Sequence, residues 1–164
     1  MGEMTLSTEI PLSDIQEFIA AFWFHYDSGH YQELTARFAG DATYISRSES
    51  GASPFEEVLA AHLNGRDEII AWLTEHREGS PYPLRHNGTN IHRTGTDGDV
   101  TAVRSYIFVT QVVNHVPFAV SSGVLETGIR QGPEGLEFTK FDLIMDTDDS
   151  IPFAECKSAS AATS

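Results

Sequence analysis

Basic residues are scarce in this sequence. Its 164 residues include 10 lysines and arginines against 24 aspartates and glutamates, which gives a formal net charge of −14. A nucleic-acid-binding protein needs a basic surface to displace the counterions of phosphates, and binding to an anionic membrane surface also needs positive charge. The composition therefore predicts no nucleic-acid partner and no membrane partner.

Cysteine and long apolar runs are also nearly absent. Cys156 is the single cysteine and cannot form an internal disulfide, so nothing indicates an oxidising compartment. The longest apolar run is the seven residues 18–24, whereas a helix needs about 20 apolar residues to span a bilayer. The first ten residues lack the apolar segment of a signal peptide. We expect a cytoplasmic protein.

What the sequence does contain is enough apolar material for a core, with helical patterns in the first half. Hydrophobic residues make up 40% of the chain and aromatic residues 10%. Apolar side chains recur at helical spacing after Ser13, and Gly29 ends that pattern. Further segments are predicted as a helix at 31–38, a strand at 41–46, a helical stretch at 55–63 and a helix from Gly65 to about Arg77, with His76 on its inner side.

The second half has the pattern of β-strands. The Asp97-Gly98 pair is a strong hairpin signal between two β-branched segments. Strands are predicted at 84–94, 100–113, 118–130 and 136–145. Helices followed by a run of strands indicate an α+β fold, a cone-shaped curved antiparallel sheet wrapped around the N-terminal helices with an internal pocket. We expect this domain to span residues 11–146, with a flexible N-terminus at 1–10 and a flexible C-terminal tail at 147–164.

The common metal and phosphate motifs are missing. The seven histidines do not form H-E-x-x-H, no C-x-x-C or EF-hand loop occurs, and neither G-x-G-x-x-G nor a P-loop is present. We therefore predict no metal site and no cofactor.

One acid–base pair stands out. Asp27 lies near the end of the first predicted helix, where the helix dipole disfavours a carboxylate, and one turn after Trp23. A carboxylate beside an apolar stripe needs a partner, and His86 at the start of the first long strand is the best one available. Such a pair fixes the imidazole tautomer and leaves the second ring nitrogen free to accept a proton. The alternative is structural: Asp27 caps its helix and His86 is a half-buried residue.

Four segments resemble SnoaL-like proteins of the nuclear transport factor 2-like superfamily, and the resemblance covers roughly residues 12 to 146. They are FHYDSGHY at 24–31, GRDEII at 65–70, HNGTN at 86–90 and DGDVTAVRSY at 97–106. The resemblance implies the α+β cone, usually dimerised through the outer face of its sheet. Asp27 and His86 are similar to the Asp–His dyad of scytalone dehydratase and hexachlorocyclohexane dehydrochlorinase, in which the histidine removes a proton from carbon.

The resemblance also implies further site residues. Tyr26 and Tyr44 correspond to substrate-polarising tyrosines and complete the predicted catalytic set. The predicted substrate-binding set is Trp23, Phe22, Ser105, Gln111, Leu125 and Arg130. The sequence departs from the family members at three positions: Gln111 replaces a second pocket histidine, Phe22 replaces a lysine, and Ser46 replaces the base aspartate of ketosteroid isomerase.

The leading hypothesis is a cofactor-independent lyase or isomerase that uses the Asp–His dyad on a small hydrophobic, cyclic substrate. One alternative is a non-catalytic domain that binds a small molecule in the same cone. Another is a small subunit of an aromatic-ring dioxygenase, since those subunits share this fold. The exposed aromatic face that contains Tyr106 and Phe108 favours a homodimer through the outer side of the sheet.

Overall fold

The computed structural model describes residues 9–156 of the chain. Within these residues the main helices and strands follow in the order α1 (Leu12–Ser28), α2 (Tyr31–Thr35), β1 (Phe38–Ser48), α3 (Glu56–Leu59), β2 (Ala61–Asn64), α4 (Arg66–Glu78), β3 (Leu84–Asp97), β4 (Val100–Val113), β5 (Val116–Gly132) and β6 (Gly135–Met145). The predicted α+β architecture with a curved sheet is confirmed, and the sheet does not close into a barrel.

The six strands lie in the order β2-β1-β6-β5-β4-β3. Hairpins join β3 to β4, β4 to β5 and β5 to β6, and these pairs are antiparallel. The pairing of β1 with β6 is parallel, so the sheet is not antiparallel throughout as predicted. No hairpin joins these two strands, which are distant in the sequence, and a tight turn therefore does not fix their relative direction.

Two local predictions differ from the structure. The second helix ends at Thr35 rather than near Phe38, because Phe38 is fully buried and pairs with Phe138 at the start of β1. The predicted helical stretch 55–63 contains only the short α3, and the strand β2 follows it because residues 61–64 pair with residues 43–46. Both differences arise from pairing with strands that are not adjacent in the sequence.

The core lies between the helices and one face of the sheet. Helix α1 contributes a fully buried stripe at helical spacing, Ile15, Ile19 and Phe22, as the periodicity predicts. Phe22 packs at 5.3 Å and 5.1 Å, between ring centroids, against Phe138 and Phe141 of β6. This packing fixes α1 across the sheet and leaves the last turn of the helix beside the open end of the fold.

The two ends of the chain are only partly described. Residues 1–8 and 157–164 lie outside the described part, so the predicted flexible ends at 1–10 and 147–164 fall largely there. Within the described part, residues 146–152 have no regular structure and residues 153–156 form one helical turn. Among residues 9–156, none of the helices combines the length and apolarity that crossing a membrane requires.

Candidate functional site

A cavity of about 890 Å³ opens between α1, α4 and the inner face of the sheet. Its volume lies in the range typical of small-molecule sites. The loop after β1 and the following helix α3 extend across one side of the cavity and contribute residues 52–55 and 57–59 to its wall. Aromatic, aliphatic and a few polar side chains form the rest, including Phe22, Trp23, Tyr26, Tyr44, Ser46, Trp72, His76, Leu84, His86, Ile107, Val109, Gln111 and Leu143.

Asp27 and His86 form the central polar contact of this site. The His86 Nδ1 lies 2.6 Å from the Asp27 Oδ1, and the backbone N–H of His86 donates to the Asp27 Oδ2 at 2.9 Å. Both carboxylate oxygens are therefore engaged by one residue. The side chains are 10% and 7% exposed for His86 and Asp27 respectively. Because the ionised carboxylate can only accept, the contact places a proton on Nδ1 and leaves Nε2 of the neutral ring with its lone pair.

Trp23 fixes the plane of the His86 imidazole. The two rings are stacked with centroids 4.9 Å apart and planes 6° apart. The close approach depends on Gly88, because a Cβ at that position would lie 3.2 Å from Trp23 Cδ1 and 3.3 Å from its Nε1. The Tyr26 ring meets the imidazole edge-on at 5.1 Å. The His86 imidazole is thus held by a hydrogen bond on one side and by aromatic contacts on others.

Arg77 anchors the end of α1 on which the dyad is built. Its Nε and Nη2 donate to the backbone carbonyl of Asp27 at 3.1 Å and 2.9 Å, and its Nη1 donates to the carbonyl of Pro81 at 3.2 Å. A cation at this position complements the negative end of the helix dipole. Arg77 is 7% exposed, so α4 contributes a buried charge that positions Asp27 through the main chain rather than through the carboxylate.

A second imidazole faces the cavity from α4. The Tyr26 hydroxyl lies 2.5 Å from the His76 Nδ1, and the His76 ring stacks on Trp72 at 4.7 Å. Burial raises the pKa of Tyr26 well above its usual value, with a smaller contribution from Tyr44, so the phenol stays protonated. Burial also lowers the pKa of His76, and nearby His86 and Arg77 lower it further, so the ring favours its neutral form.

Tyr44 and Ser46 supply polar atoms from β1. Tyr44 stacks on Phe141 with centroids 5.0 Å apart and is 3% exposed. Burial raises the pKa of the Tyr44 phenol above its usual value, so it too remains protonated. Ser46 is also buried, two residues further along β1, and its hydroxyl has a smaller effect on the Tyr44 pKa in the opposite direction. Both side chains belong to the cavity wall.

The structure brings together most of the predicted site residues. Six of them line the cavity, and Asp27 lies behind His86; the six are Phe22, Trp23, Tyr26, Tyr44, His86 and Gln111. Three predicted binding residues do not line it. Ser105 and Leu125 are opposite each other on β4 and β5 and are buried in the packed interior. Arg130 pairs with Glu137 at 2.8 Å.

The cavity takes in only part of the inner face of β4, and this explains the misplaced residues. Ile107, Val109 and Gln111 line it, whereas Val103 and Leu125 do not, although they share one buried core with Ile107 and Val109. Alternation along a strand predicts which residues point inward, but it does not indicate where the core ends and the cavity begins.

Sequence reasoning missed His76 and Trp72 as cavity residues. The sequence predicts that His76 lies on the inner side of its helix, but an inward position alone does not indicate a functional role. The four-residue spacing of Trp72 and His76 puts them on one helix face, and that spacing was the available signal. The wall segment 52–59 carries no comparable pattern, and its place over the cavity follows only from the tertiary structure.

No cluster of three or more metal-binding side chains occurs among residues 9–156. His25 and His30 form a pair at the end of α1, with their Nδ1 atoms 3.0 Å apart. The polar side chains of the cavity wall are those of tyrosine, serine, threonine, glutamine and histidine residues and of three acidic residues, Glu57, Glu75 and Asp146.

Comparison with known protein families shows which family this chain belongs to. The SnoaL-like domain matches residues 12–142, which is most of the sequence. This protein belongs to the SnoaL-like domain family. A comparison with curated proteins finds no match for this SnoaL-like chain.

Solved structures share the fold of this SnoaL-like protein at low sequence identity. A candidate scytalone dehydratase from Novosphingobium aromaticivorans is 18% identical, with a TM-score of 0.67 and coverage of 91% of this chain and 94% of that chain. The benzoate 1,2-dioxygenase beta subunit from Burkholderia mallei is 19% identical, with a TM-score of 0.64 and coverage of 84% and 92%. An NTF2-like protein with a cystatin-like fold from N. aromaticivorans is 20% identical, with a TM-score of 0.64 and coverage of 88% and 86%.

Proposed function

We propose that this protein is a cofactor-independent lyase or isomerase that removes a proton from a carbon atom of a small hydrophobic, cyclic substrate. The observation that carries the proposal is the 2.6 Å contact between Asp27 Oδ1 and His86 Nδ1 beside an apolar cavity. A histidine oriented in this way presents an unprotonated Nε2.

In this proposal His86 is the base. Its Nε2 takes the proton, the electron pair of the broken C–H bond moves into the substrate, and Asp27 stabilises the imidazolium that forms. The proton then returns to another carbon in an isomerisation or leaves with a hydroxyl group as water in an elimination. Tyr44 of β1 is proposed to donate a hydrogen bond to a polar group of the substrate. It is buried in the cavity wall, and its phenol is protonated.

The charged side chains of the cavity wall favour a neutral substrate. Among the described residues, those with full charges that line it are Glu57, Glu75 and Asp146, and all three are acidic. A substrate carboxylate or phosphate would be repelled there and would find no lysine or arginine. The aromatic walls suit a neutral ring instead.

The test uses 2-tetralone, a neutral bicyclic ketone, in deuterated water. Exchange of its α-protons is followed by NMR with the wild-type protein and with His86→Gln. We expect the variant to lose about 10²- to 10⁴-fold of the catalysed rate, the usual contribution of a general base. His92→Gln is the matched control, because His92 lies on the same strand and is exposed. Equal exchange rates for wild type and His86→Gln would contradict the proposal.

The first alternative is a domain that binds a small molecule without turnover. The replacement of a second pocket histidine by Gln111 supports it, because that position lines the cavity without an ionisable group. Under this alternative 2-tetralone binds, but its exchange rate stays at the value in buffer and is insensitive to His86→Gln.

The second alternative is a small subunit of an aromatic-ring dioxygenase. The fold similarity to the benzoate 1,2-dioxygenase beta subunit supports it. The corresponding experiment is purification from the native source under mild conditions. Stoichiometric recovery of a larger oxygenase chain supports this alternative, and recovery of this chain alone counts against it.

We also propose a homodimer formed through the outer face of the sheet. Tyr106 and Phe108 of β4 support it, because they are 53% and 39% exposed on the face opposite the cavity. Large aromatic side chains left in water at adjacent outward positions are typical of an interface.

A further inference from the structure

Two consecutive residues of α1 each engage a different histidine of the cavity. Asp27 accepts from His86 Nδ1 at 2.6 Å, and the Tyr26 hydroxyl lies 2.5 Å from His76 Nδ1. In both histidines Nδ1 is therefore occupied, and Nε2 makes no hydrogen bond to a described residue. Both rings belong to the cavity wall. The chemical difference between the two partners, a carboxylate and a phenol, decides what each Nε2 can do.

The His86 partner can only accept a hydrogen bond. The proton of the neutral ring therefore lies on Nδ1, and Nε2 carries a lone pair. Its side chain is mostly buried and the ring is held against Trp23, so it cannot turn over without breaking the contacts to Asp27 and Trp23.

The partner of His76, the Tyr26 hydroxyl, donates the hydrogen bond. A phenol is a much stronger acid than a neutral imidazole, and an imidazole nitrogen is a much stronger base than a phenol oxygen, so the O–H···N arrangement is favoured over N–H···O. The Tyr26 hydroxyl also has no other acceptor among the described residues, and it would be left unsatisfied in a buried position if it accepted instead. The His76 Nδ1 is then the acceptor, and the ring proton lies on Nε2.

We propose that the Nε2–H of His76 is the hydrogen-bond donor to the carbonyl oxygen of the substrate, while His86 Nε2 takes the proton from the adjacent carbon. This inference rests on the proposed function and extends it to a substrate class: neutral cyclic compounds with a carbonyl group next to the reacting C–H bond. His76 acts here as a catalytic residue beside His86, and Tyr26 is a positioning residue that sets the His76 tautomer.

The proton balance limits the role of His76 to hydrogen bonding. When His86 takes the α-proton, the electron pair of the C–H bond becomes the double bond of an enolate, and the negative charge moves to the carbonyl oxygen. The His76 N–H stabilises that oxyanion without transferring its proton, since full transfer would leave an anionic imidazole or phenol in a buried site. Neutral imidazole is well suited to this kind of electrophilic assistance. The proton held by His86 then passes to another carbon of the substrate in an isomerisation, or to the departing hydroxyl group in an elimination.

The first test measures the two tautomers in the free protein. Long-range proton–nitrogen correlation NMR of ¹⁵N-histidine-labelled protein near pH 7.5 reports which ring nitrogen carries the proton. We expect Nδ1–H for His86 and Nε2–H for His76. In Tyr26→Phe, His76 should lose its single tautomer while His86 keeps its own, and Tyr106→Phe at an exposed position should change neither. An Nδ1–H tautomer for wild-type His76 overturns the inference.

The second test measures polarisation of a bound ketone. The carbonyl stretching frequency of 2-tetralone labelled with ¹³C at the carbonyl is recorded in wild type and in His76→Phe, which keeps an aromatic ring against Trp72 but has no N–H. We expect a lower frequency in wild type than in the variant, and a 10²- to 10³-fold loss of α-proton exchange in the variant, as for removal of one oxyanion donor. Identical frequencies, or no bound signal in wild type, overturn the inference.

The results separate the two proposals. If exchange depends on His86 but the carbonyl frequency is independent of His76, the proposed function stands and only this inference fails. If the frequency depends on His76 but exchange is insensitive to His86→Gln, the dyad is not a base and the proposed function fails.

Discussion

At the scale of single residues, the orientation of the His86 imidazole depends on how closely Trp23 can approach β3. The indole stacks on His86 and at the same time lies against the backbone at Gly88. Its Nε1 is buried without a hydrogen-bond partner in the described part of the chain, which has a free-energy cost. The observed position of Trp23 therefore reflects packing rather than hydrogen bonding, and a small change in the space available should move it.

Gly88→Ala tests this packing. The added Cβ would lie 3.2 Å from Trp23 Cδ1 and 3.5 Å from Ile19 Cγ2. Trp23 must shift by a few tenths of an ångström, because a Cβ contact of 3.2 Å is tighter than side chains normally make. We expect a loss of about 1–3 kcal/mol in the free energy of unfolding, measured in urea, together with weaker binding of 2-tetralone. Gly95→Ala on the same strand is the control, since a Cβ added there would meet no atom of the described residues within 4 Å. Equal stability for both variants would contradict the packing argument.

At the scale of elements, the site depends on how the ends of α1 and α4 meet. The end of α1 supplies Tyr26 and Asp27, and the last turn of α4 supplies His76 and Arg77. The Arg77 guanidinium joins the two ends and also holds the following loop at Pro81. The Arg77 side chain therefore links α4, which carries His76, to the end of α1 that contacts His86.

Arg77→Lys tests that connection. Lysine keeps the positive charge but cannot present several fixed donors to the two carbonyls at once. We expect a loss of about 1–3 kcal/mol in the free energy of unfolding, because buried carbonyl groups lose their partner. Arg104→Lys is the matched control, since Arg104 is exposed and pairs with Glu126 on the surface.

Urea unfolding of the two lysine variants gives the comparison. The control should stay within about 0.5 kcal/mol of wild type, as surface substitutions usually do. If the free energy of unfolding of Arg77→Lys also stayed within about 0.5 kcal/mol of wild type, the guanidinium would not join the two helices.

At the scale of the whole molecule, the two faces of β4 have different roles. Residues 103, 105, 107 and 109 are buried toward the helices, while Tyr106 and Phe108 face outward. The high net negative charge keeps copies of the chain apart at low ionic strength. An apolar face is therefore the part of the surface on which self-association can compete with that repulsion.

Phe108→Lys tests the proposed homodimer. We expect wild type to elute as a dimer in size-exclusion chromatography with light scattering, and the variant to shift to the monomer because a charge is buried unpaired at the interface. Phe24→Lys is the control, since Phe24 is 63% exposed on α1 and lies away from the sheet. A monomeric wild type, or a dimeric Phe108→Lys, would count against this interface.

The sequence by itself determined the α+β class, the stripe of α1, the hairpins of the second half and the pairing of Asp27 with His86. The first three rest on local sequence patterns. The pair rests on a carboxylate that needs a partner and on a family resemblance. The tertiary structure decided the parallel pairing of β1 with β6, the strand β2, the position of residues 52–59 and the contact of Tyr26 with His76. It also excluded Ser105, Leu125 and Arg130 from the described cavity wall. These features depend on which distant segments meet, and periodicity does not contain that information.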